Sequence, residues 1–354
     1  MPTPQDVVDA SVHYQGEQTQ STIPSLLSVI IDTNPRAWSA LNNTLTLTQA
    51  VANALVFTNA HLAGDNANEV SIIAAHCNRA VWLYPTPPRR NTNAEAAQPP
   101  LTGNEFPKFA EIKHSVFTSL RELVSETTEA DIKSTTTTQI SGALTLALTH
   151  INKTSISLTT SRGAGYGGGP TTGSGPVATS TDGLPGLNAR IVVLSVSDSN
   201  PAQYITTMNA VFAAAHSQIP IDTLCLRGNP TFLQQASYLT RGIFIRAKEP
   251  QGIVQYLMLG LNRLPPSFEF ASETSPNESS GKKGGGRGGT PFLLPNAELV
   301  DFRAACFCHR RVIDTGFVCS VCLSIFCEVP SEGECLTCKS KLQLGNYGAR
   351  PVVA

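Results

Sequence analysis

The sequence contains little charge, and neither sign dominates. Only 14% of the 354 residues are Asp, Glu, Lys or Arg, and the formal net charge is −1. A chain that bound nucleic acid or an anionic membrane through its overall charge would be strongly basic. We therefore expect direct nucleic-acid contact to be weak or absent. The low charge also favours a protein whose surface is covered by other subunits.

Long apolar runs are missing as well. No stretch reaches the roughly 18 consecutive apolar residues that a membrane-spanning helix needs. Residues 1–22 are polar and contain Asp6, Asp9 and Glu17, which is not typical of a secretory signal. We expect no membrane association and a reducing compartment.

Familiar catalytic motifs are also absent from the sequence. It contains no P-loop, no HExxH pair and no GxSxG elbow. The string Gly163-x-Gly165-x-x-Gly168 neither follows a predicted strand nor begins a predicted helix, so it does not indicate a dinucleotide site. We predict that the chain is not an enzyme and that it has no catalytic residues.

Cysteine, by contrast, is concentrated near the C-terminus, where seven of the nine cysteines lie between residues 306 and 338. Two Cys-x2-Cys pairs, Cys319 with Cys322 and Cys335 with Cys338, are separated by twelve residues. Thiolates at this spacing can bind one tetrahedral metal ion. We predict that these four cysteines hold a structural zinc and that the short tail does not fold without it.

The other metal-binding residues of the tail leave the number of zinc ions at one or two. They are Cys306, Cys308, His309 and Cys327. One interpretation is a second zinc site, which would make the tail a cross-braced, RING-like module. The other is that these residues are thiols buried against aromatic side chains, because the close spacing of Cys306, Cys308 and His309 strains ligation by all four.

Between residues 25 and 263, short apolar runs alternate with helical patterns. The predicted strands are 26–31, 70–75, 80–84, 191–196, 221–226 and 243–246. The predicted helices begin near Thr46, Ile112, Ile140, Asn200, Asn229 and Ile253. This alternation predicts an α/β domain with a mostly parallel sheet and helices on both faces.

Composition divides the chain into five parts. They are a flexible N-terminus (1–22), the α/β domain (23–265, with a glycine-rich loop at 161–188), a flexible linker (266–298), a zinc-binding module (299–345) and a tail (346–354). The linker and the loop are rich in glycine and small polar residues, which disfavour a packed core.

Ligands of open parallel sheets bind beyond the carboxyl ends of the strands. Asp32 ends the first predicted strand, Asp198 follows the strand at 191–196, and Thr138 precedes a helix. This arrangement resembles the von Willebrand A-type domain, a Rossmann-like fold. The metal-ion-dependent adhesion site of that family uses an Asp-x-Ser-x-Ser loop, a Thr and a second Asp.

The loop here reads Asp32-Thr33-Asn34-Pro35-Arg36, so Asn34 and Arg36 replace both serines of the family motif. A guanidinium cannot bind a cation and would repel one. We therefore expect a degenerate, metal-free site without Mg²⁺, in which Asp32 pairs with Arg36 or caps local backbone groups. The positions concerned are Asp32, Asn34, Arg36, Thr138 and Asp198. A Mg²⁺-dependent binding module is the alternative.

The predicted zinc-binding module contains the run DFRAACFCHRRVIDTGFVCSVCLSIFC, which begins at residue 301. Joined to an A-type domain, it resembles the small A-domain subunits of general transcription factor IIH. The resemblance implies a non-catalytic nuclear subunit of the core complex that acts in RNA polymerase II initiation and nucleotide excision repair. It also implies binding to the zinc-bearing C-terminal domain of a larger A-domain subunit and to other core subunits. A RING-type ubiquitin ligase is the main alternative, but no histidine lies between Cys319 and Cys338.

Overall fold

The computed structural model describes residues 23–86, 106–134, 137–163, 184, 187–261, 300–309, 311–329 and 333–342. The predicted flexible N-terminus (1–22), the linker (266–298), the tail (346–354) and most of the glycine-rich loop lie outside these residues. Within the described part of the chain, no helix is long and apolar enough to cross a membrane.

A six-stranded sheet forms the centre of the larger domain, in the order β3-β2-β1-β4-β5-β6. The strands are Ser25–Asp32 (β1), Glu69–Ala75 (β2), Ala80–Tyr84 (β3), Asn188–Ser195 (β4), Ile221–Cys225 (β5) and Phe244–Arg246 (β6). All neighbouring pairs are parallel except β2 and β3. The turn between β2 and β3 is too short for a crossover helix, so β3 runs antiparallel. The prediction of a mostly parallel sheet is confirmed.

Eight α-helical segments accompany the sheet in the described residues. They are Pro35–Ser39 (α1), Leu47–Gly64 (α2), Pro107–Glu126 (α3), Glu129–Ser134 (α4), Ile140–Gly163 (α5), Tyr204–His216 (α6), Thr231–Leu239 (α7) and Ile253–Gln255 (α8). The helix predicted to begin near Thr46 is confirmed as α2, and it begins with a capping box. The Thr46 hydroxyl accepts from the backbone N–H of Gln49, and the Gln49 side chain accepts from the backbone N–H of Thr46. The predicted last helix is present, but only its first turn, α8, is α-helical, and it continues as a π-helical turn, Tyr256–Gly260.

Two buried clusters lie on opposite faces of the sheet, and β1 contributes to both. Leu27, Val29 and Ile31 pack with α1, α2, α3 and α8, whereas Leu26 and Ile30 pack with α5, α6 and α7. Alternate residues of a strand point to opposite faces, so a strand covered on both sides is a continuous apolar run. The result is a three-layer von Willebrand A-type fold.

The described residues of the C-terminal module contain two short hairpins. Ala304–Ala305 (β7) pairs with Val312–Ile313 (β8), and Phe317–Val318 (β9) pairs with Ile325–Phe326 (β10). In the described residues of the module, Cys319, Phe326 and Cys335 form one small buried cluster, and Ala305 and Cys306 are also buried. So small a core is ordinarily stabilised by covalent or metal cross-links.

Candidate functional site

Asp32 is fully buried at the carboxyl end of β1, and its two carboxylate oxygens are bound by protein groups. Oδ1 accepts from the Asn34 backbone N–H and from the Thr138 hydroxyl, both at 3.1 Å. Oδ2 accepts from the backbone N–H groups of Val196 at 3.2 Å and Ser197 at 3.0 Å. Of the two predicted alternatives for Asp32, the capping of backbone groups is therefore the one observed.

Side chains complete a closed hydrogen-bond network around this carboxylate. The Asn34 amide donates to the Thr138 hydroxyl at 3.1 Å, and the Ser197 hydroxyl lies 2.8 Å from the same oxygen. Thr138 has a single hydroxyl hydrogen, which it gives to Asp32, so it accepts from Asn34 and Ser197. Burial raises the pKa of Asp32, and hydrogen bonds from Ser197, Asn34, Val196 and Thr138 oppose the rise.

The other two predicted positions are not among the groups that bind the Asp32 carboxylate oxygens in the described residues. Arg36 is exposed on α1 and forms no salt bridge with Asp32. Asp198 is exposed, and its Oδ1 accepts from the Asn229 backbone N–H at 2.6 Å. Gly228 has φ +83°, and a Cβ there would lie 2.9 Å from that oxygen, so glycine is needed for this close approach. Asp198 is thus bound to the loop before α7.

Two further buried side chains hold the loop after β1, and the sequence analysis missed both. The indole Nε1 of Trp38 donates to the Asp32 carbonyl at 2.7 Å. The His76 ring lies 3.1 Å from the Thr33 hydroxyl on its Nδ1 side and 3.0 Å from the Thr127 hydroxyl on its Nε2 side. These contacts connect the loop to α1, β2 and the end of α3, so the position of Asp32 is fixed by the domain core.

In the C-terminal module, two sets of four ligand atoms converge, each within 4.8 Å of one another. One set is Cys319, Cys322, Cys335 and Cys338; the other is Cys306, Cys308, His309 and Cys327. In the first set, the sulfurs of Cys319 and Cys338 are 3.8 Å apart and those of Cys322 and Cys335 are 3.5 Å apart. Zn–S bonds of about 2.3 Å place tetrahedral sulfurs about 3.8 Å apart. The geometry of both sets could hold a metal ion.

The first set is built from two loops of the same shape. The Cys319 N–H donates to the Ser324 carbonyl and the Cys335 N–H to the Ser340 carbonyl. The fifth residue of each loop, Leu323 or Lys339, has φ near +60°. The repeated Cys-x2-Cys-x-Ser pattern is the sequence signal for this geometry, and the predictions used only its cysteines.

Serine hydroxyls reach the sulfurs of this set. The hydroxyl of Ser324 is 3.1 Å from the Cys322 sulfur, and that of Ser340 is 2.9 Å from the Cys338 sulfur. Backbone N–H groups of Cys322 and Val321 lower the pKa of Cys319 to about 6. Donors aimed at sulfur stabilise thiolates, which is the form that binds metal.

The second set is more compact. The sulfurs of Cys308 and Cys327 lie 3.3 Å apart, and the His309 Nδ1 is 3.1 Å from the Cys327 sulfur. All four predicted groups meet despite the close spacing of three of them in the sequence. Cys327 lies between the two pairs of the first set along the chain, so the sets interleave as in a cross-braced module.

A family model described as "Transcription factor Tfb4" matches residues 24–267 and 289–339. Tfb4, a subunit of general transcription and DNA repair factor IIH from Schizosaccharomyces pombe, is 35% identical over 318 residues, which cover 90% of this chain and 89% of that protein. The chain belongs to the Tfb4 family. The TFB4 subunit from Arabidopsis thaliana is 32% identical over 325 residues, covering 89% of this chain and 88% of that protein.

A solved structure agrees with this assignment. The crystal structure of the TFIIH p34 N-terminal domain is 55% identical, with a TM-score of 0.55, and covers 67% of this chain and 98% of that chain. The two segments matched by the Tfb4 model contain the Asp32 network and all eight ligand positions of the C-terminal module. The chain is therefore a TFIIH subunit of the Tfb4 type with an A-type domain and a cysteine-rich module.

Proposed function

We propose that this Tfb4 protein is a non-catalytic binding subunit of the TFIIH core that acts in transcription initiation and nucleotide excision repair in the nucleus. Its A-type domain binds the larger A-domain and zinc-finger subunit without a bridging Mg²⁺. The observation that carries the proposal is the closed network at Asp32. In a cation-dependent A-type domain these oxygens would be open to a metal, whereas here four protein donors occupy them.

The C-terminal module supplies the second part of the proposal, two structural zinc ions. Seven thiolates and one imidazole are the ligands that zinc prefers in structural sites, and both sets lack an open position for a reacting water. When bound, zinc would cross-link loops whose apolar core is too small to fold alone. The eight ligand residues would then hold the loops in one fixed conformation, in which other proteins can bind the module.

Exposed apolar side chains on the module support a protein-binding role. Phe317, Val318, Val321, Leu323 and Leu336 are each more than half exposed. Large apolar groups gathered on so small a module are typical of surfaces that other proteins cover. They are also the reason to expect poor solubility of the chain without its partner.

Copurification tests the partner and the cation requirement together. The full-length chain is coexpressed with the larger A-domain subunit, and binding is measured with and without Mg²⁺ at constant Zn²⁺. We expect a stable complex in both buffers. A complex that forms only with Mg²⁺, or no complex in either buffer, contradicts the proposal.

The cross-braced order of the ligands also resembles a RING domain, so ubiquitin transfer needs its own test. The full-length chain is incubated with ubiquitin, its activating enzyme and a panel of conjugating enzymes. We expect no increase in chain formation over reactions that lack the protein. Robust chain formation would replace the scaffold role with a ligase role.

A further inference from the structure

The segment just before the C-terminal module, residues 300–303, lies on α7 of the A-type domain. The Gln235 side-chain amide donates to the Asp301 carbonyl, and it lies 3.4 Å from the Arg303 carbonyl. Gln235 is only 2% exposed. One buried amide therefore binds two carbonyls of the same extended segment, which no sequence pattern had indicated.

An aromatic contact adds to these hydrogen bonds. The rings of Tyr238 and Phe302 meet edge to face with their centroids 5.1 Å apart. Gln235 and Tyr238 are three residues apart on α7, so they share one face of the helix. Both contacts are thus made by the same helical face with consecutive residues of the segment.

Arg303 connects the segment to the module. Its guanidinium donates to both carboxylate oxygens of Asp301 and, at 3.2 Å, to Asp314 in the turn after β8. Hydrogen bonds from Arg303 lower the pKa of Asp301, so that this carboxylate stays charged. β7 follows directly and lies beside α6, with Ala305 fully buried. The contacts therefore run without interruption from α7 through the segment to the hairpin that begins the module.

We propose that residues 300–303 are an intramolecular clamp that fixes the cysteine-rich module against the α6–α7 face of the A-type domain. The face that accepts the clamp is a binding site for an extended backbone with an aromatic side chain, and Gln235 and Tyr238 are its recognition residues. The occupant is this chain's own segment, because residues 262–299 connect it covalently to the domain it contacts. Tethering raises the effective concentration of such a segment, so that a few contacts suffice to keep it bound. The two domains then present one rigid surface to other subunits.

The sharpest test is Gln235→Glu in the full-length, metal-loaded chain. Glutamate keeps the shape of glutamine, but its carboxylate cannot donate to the two carbonyls. We expect amide hydrogen exchange in residues 300–305 to become about tenfold faster, since two hydrogen bonds from a buried group are lost. The radius of gyration from X-ray scattering should increase. Gln255→Glu, the same change at an exposed site on α8, should leave both measurements unchanged.

A mutant cycle gives an independent test. Tyr238→Ala and Phe302→Ala should each speed exchange of the segment severalfold, and the double variant should do so little more than either alone. Unchanged exchange in Gln235→Glu and in both alanine variants would overturn the clamp. If Gln235→Glu lost its metal, the contact between Gln235 and residues 300–303 would be needed for the module to fold. That result would overturn the proposal that the contact only fixes the position of the module. A concentration-dependent dimer of the unchanged protein would assign the contact to two copies of the chain and overturn the intramolecular form.

Discussion

The amide nitrogen of Asn34 lies 3.1 Å from the hydroxyl of Thr138, and it donates a hydrogen bond across the site where A-type domains bind a cation. In the family motif, the residue in the Asn34 position is a serine whose hydroxyl binds the metal. The amide here instead fills the gap between the loop after β1 and the residue before α5. In the metal-free site that we propose, this hydrogen bond joins groups that a metal would join in a cation-binding A-type domain.

The double substitution Asn34→Ser/Arg36→Ser should restore cation binding. It recreates the Asp-x-Ser-x-Ser sequence, removes the Asn34 donor and eliminates the exposed guanidinium of Arg36. Calorimetric titration should detect Mg²⁺ binding to the double variant and none to the unchanged protein. Arg36→Ser alone should gain less affinity, because the hydrogen bond from Asn34 to Thr138 remains. If the double variant binds no Mg²⁺, the replaced serines are not what would keep the proposed site free of metal.

Asp32→Asn should destabilise the A-type domain by about 2 to 3 kcal/mol. The asparagine NH₂ group would face backbone N–H donors that now bind a carboxylate oxygen, which leaves buried donors without acceptors. Both tryptophans of the chain, Trp38 and Trp82, lie in this domain, so their fluorescence during urea unfolding reports on it alone. The matched control is Asp65→Asn, where the remaining side-chain oxygen can still accept from Ala67 at an exposed helix end. Its effect should stay below about 0.5 kcal/mol. Equal effects of the two changes would contradict the role given to Asp32.

Stability should fall with acidity between about pH 6.5 and pH 4, partly through His61. Burial, and then the charge of Arg190, lower the pKa of His61 from 6.5 to about 4. The unfolded chain therefore takes up a proton before the folded protein does, and stability present above pH 6.5 is lost as the pH falls through this window. For a partly buried group the loss is about 2 to 3 kcal/mol.

Urea unfolding across this pH range checks the contribution of His61. The unfolding free energy of His61→Gln should vary less with pH than that of the unchanged protein. Burial also lowers the pKa of His76 and His150, so some pH dependence should remain in the variant. His114 is exposed on α3, and His114→Gln should keep the full dependence. Identical pH dependence in the two variants would show that His61 does not contribute.

Ser340→Ala should speed the transfer of zinc from the module to a chelator by about tenfold. The Ser340 hydroxyl lies 2.9 Å from the Cys338 sulfur and 3.6 Å from that of Cys319, and its loss removes a donor that stabilises thiolate. The control is Ser320→Ala. Ser320 is exposed and lies between Cys319 and Cys322, and its replacement should leave the rate unaltered. A colorimetric chelator measures both rates, and equal rates would show that the serine donors do not tune the site.

Much of this fold could be predicted because buried parallel strands leave a simple signal. The run LLSVII has no polar residue beyond one serine, and that serine pairs with Ser71 of β2 at 2.8 Å. The convergence of Cys319, Cys322, Cys335 and Cys338 could also be predicted, because zinc-type cysteine spacing depends on local loop geometry. The spacing did not show whether Cys306, Cys308, His309 and Cys327 lie close together. In the structure they do, because Cys327 directly follows the hairpin β9–β10 and its sulfur lies 3.3 Å from that of Cys308.

Other features depend on contacts that no local pattern encodes. Ser197 was missed in favour of Asp198, because the family motif calls for a carboxylate while the backbone N–H of Ser197 is what reaches Asp32. Helix α1 was missed, although Asn34-Pro35 has the same Asn cap and proline start as Asn200-Pro201, where a helix was predicted. Helix α1 is only five residues long, which is too short to show a helical repeat of apolar side chains in the sequence. The contact between Gln235 and residues 300–303 joins distant parts of the chain and leaves no periodic signal at all.

Native mass spectrometry of the full-length chain tests the central claim most directly, because it counts bound metals on an intact protein. The account predicts a mass that corresponds to two zinc ions and no magnesium, even when Mg²⁺ is present in the buffer. Cys308→Ser and Cys338→Ser should each lose one zinc, whereas Cys77→Ala, a change at a buried thiol outside both sets, should keep two. A chain that carried no zinc, or that bound Mg²⁺ at its A-type domain, would contradict the account.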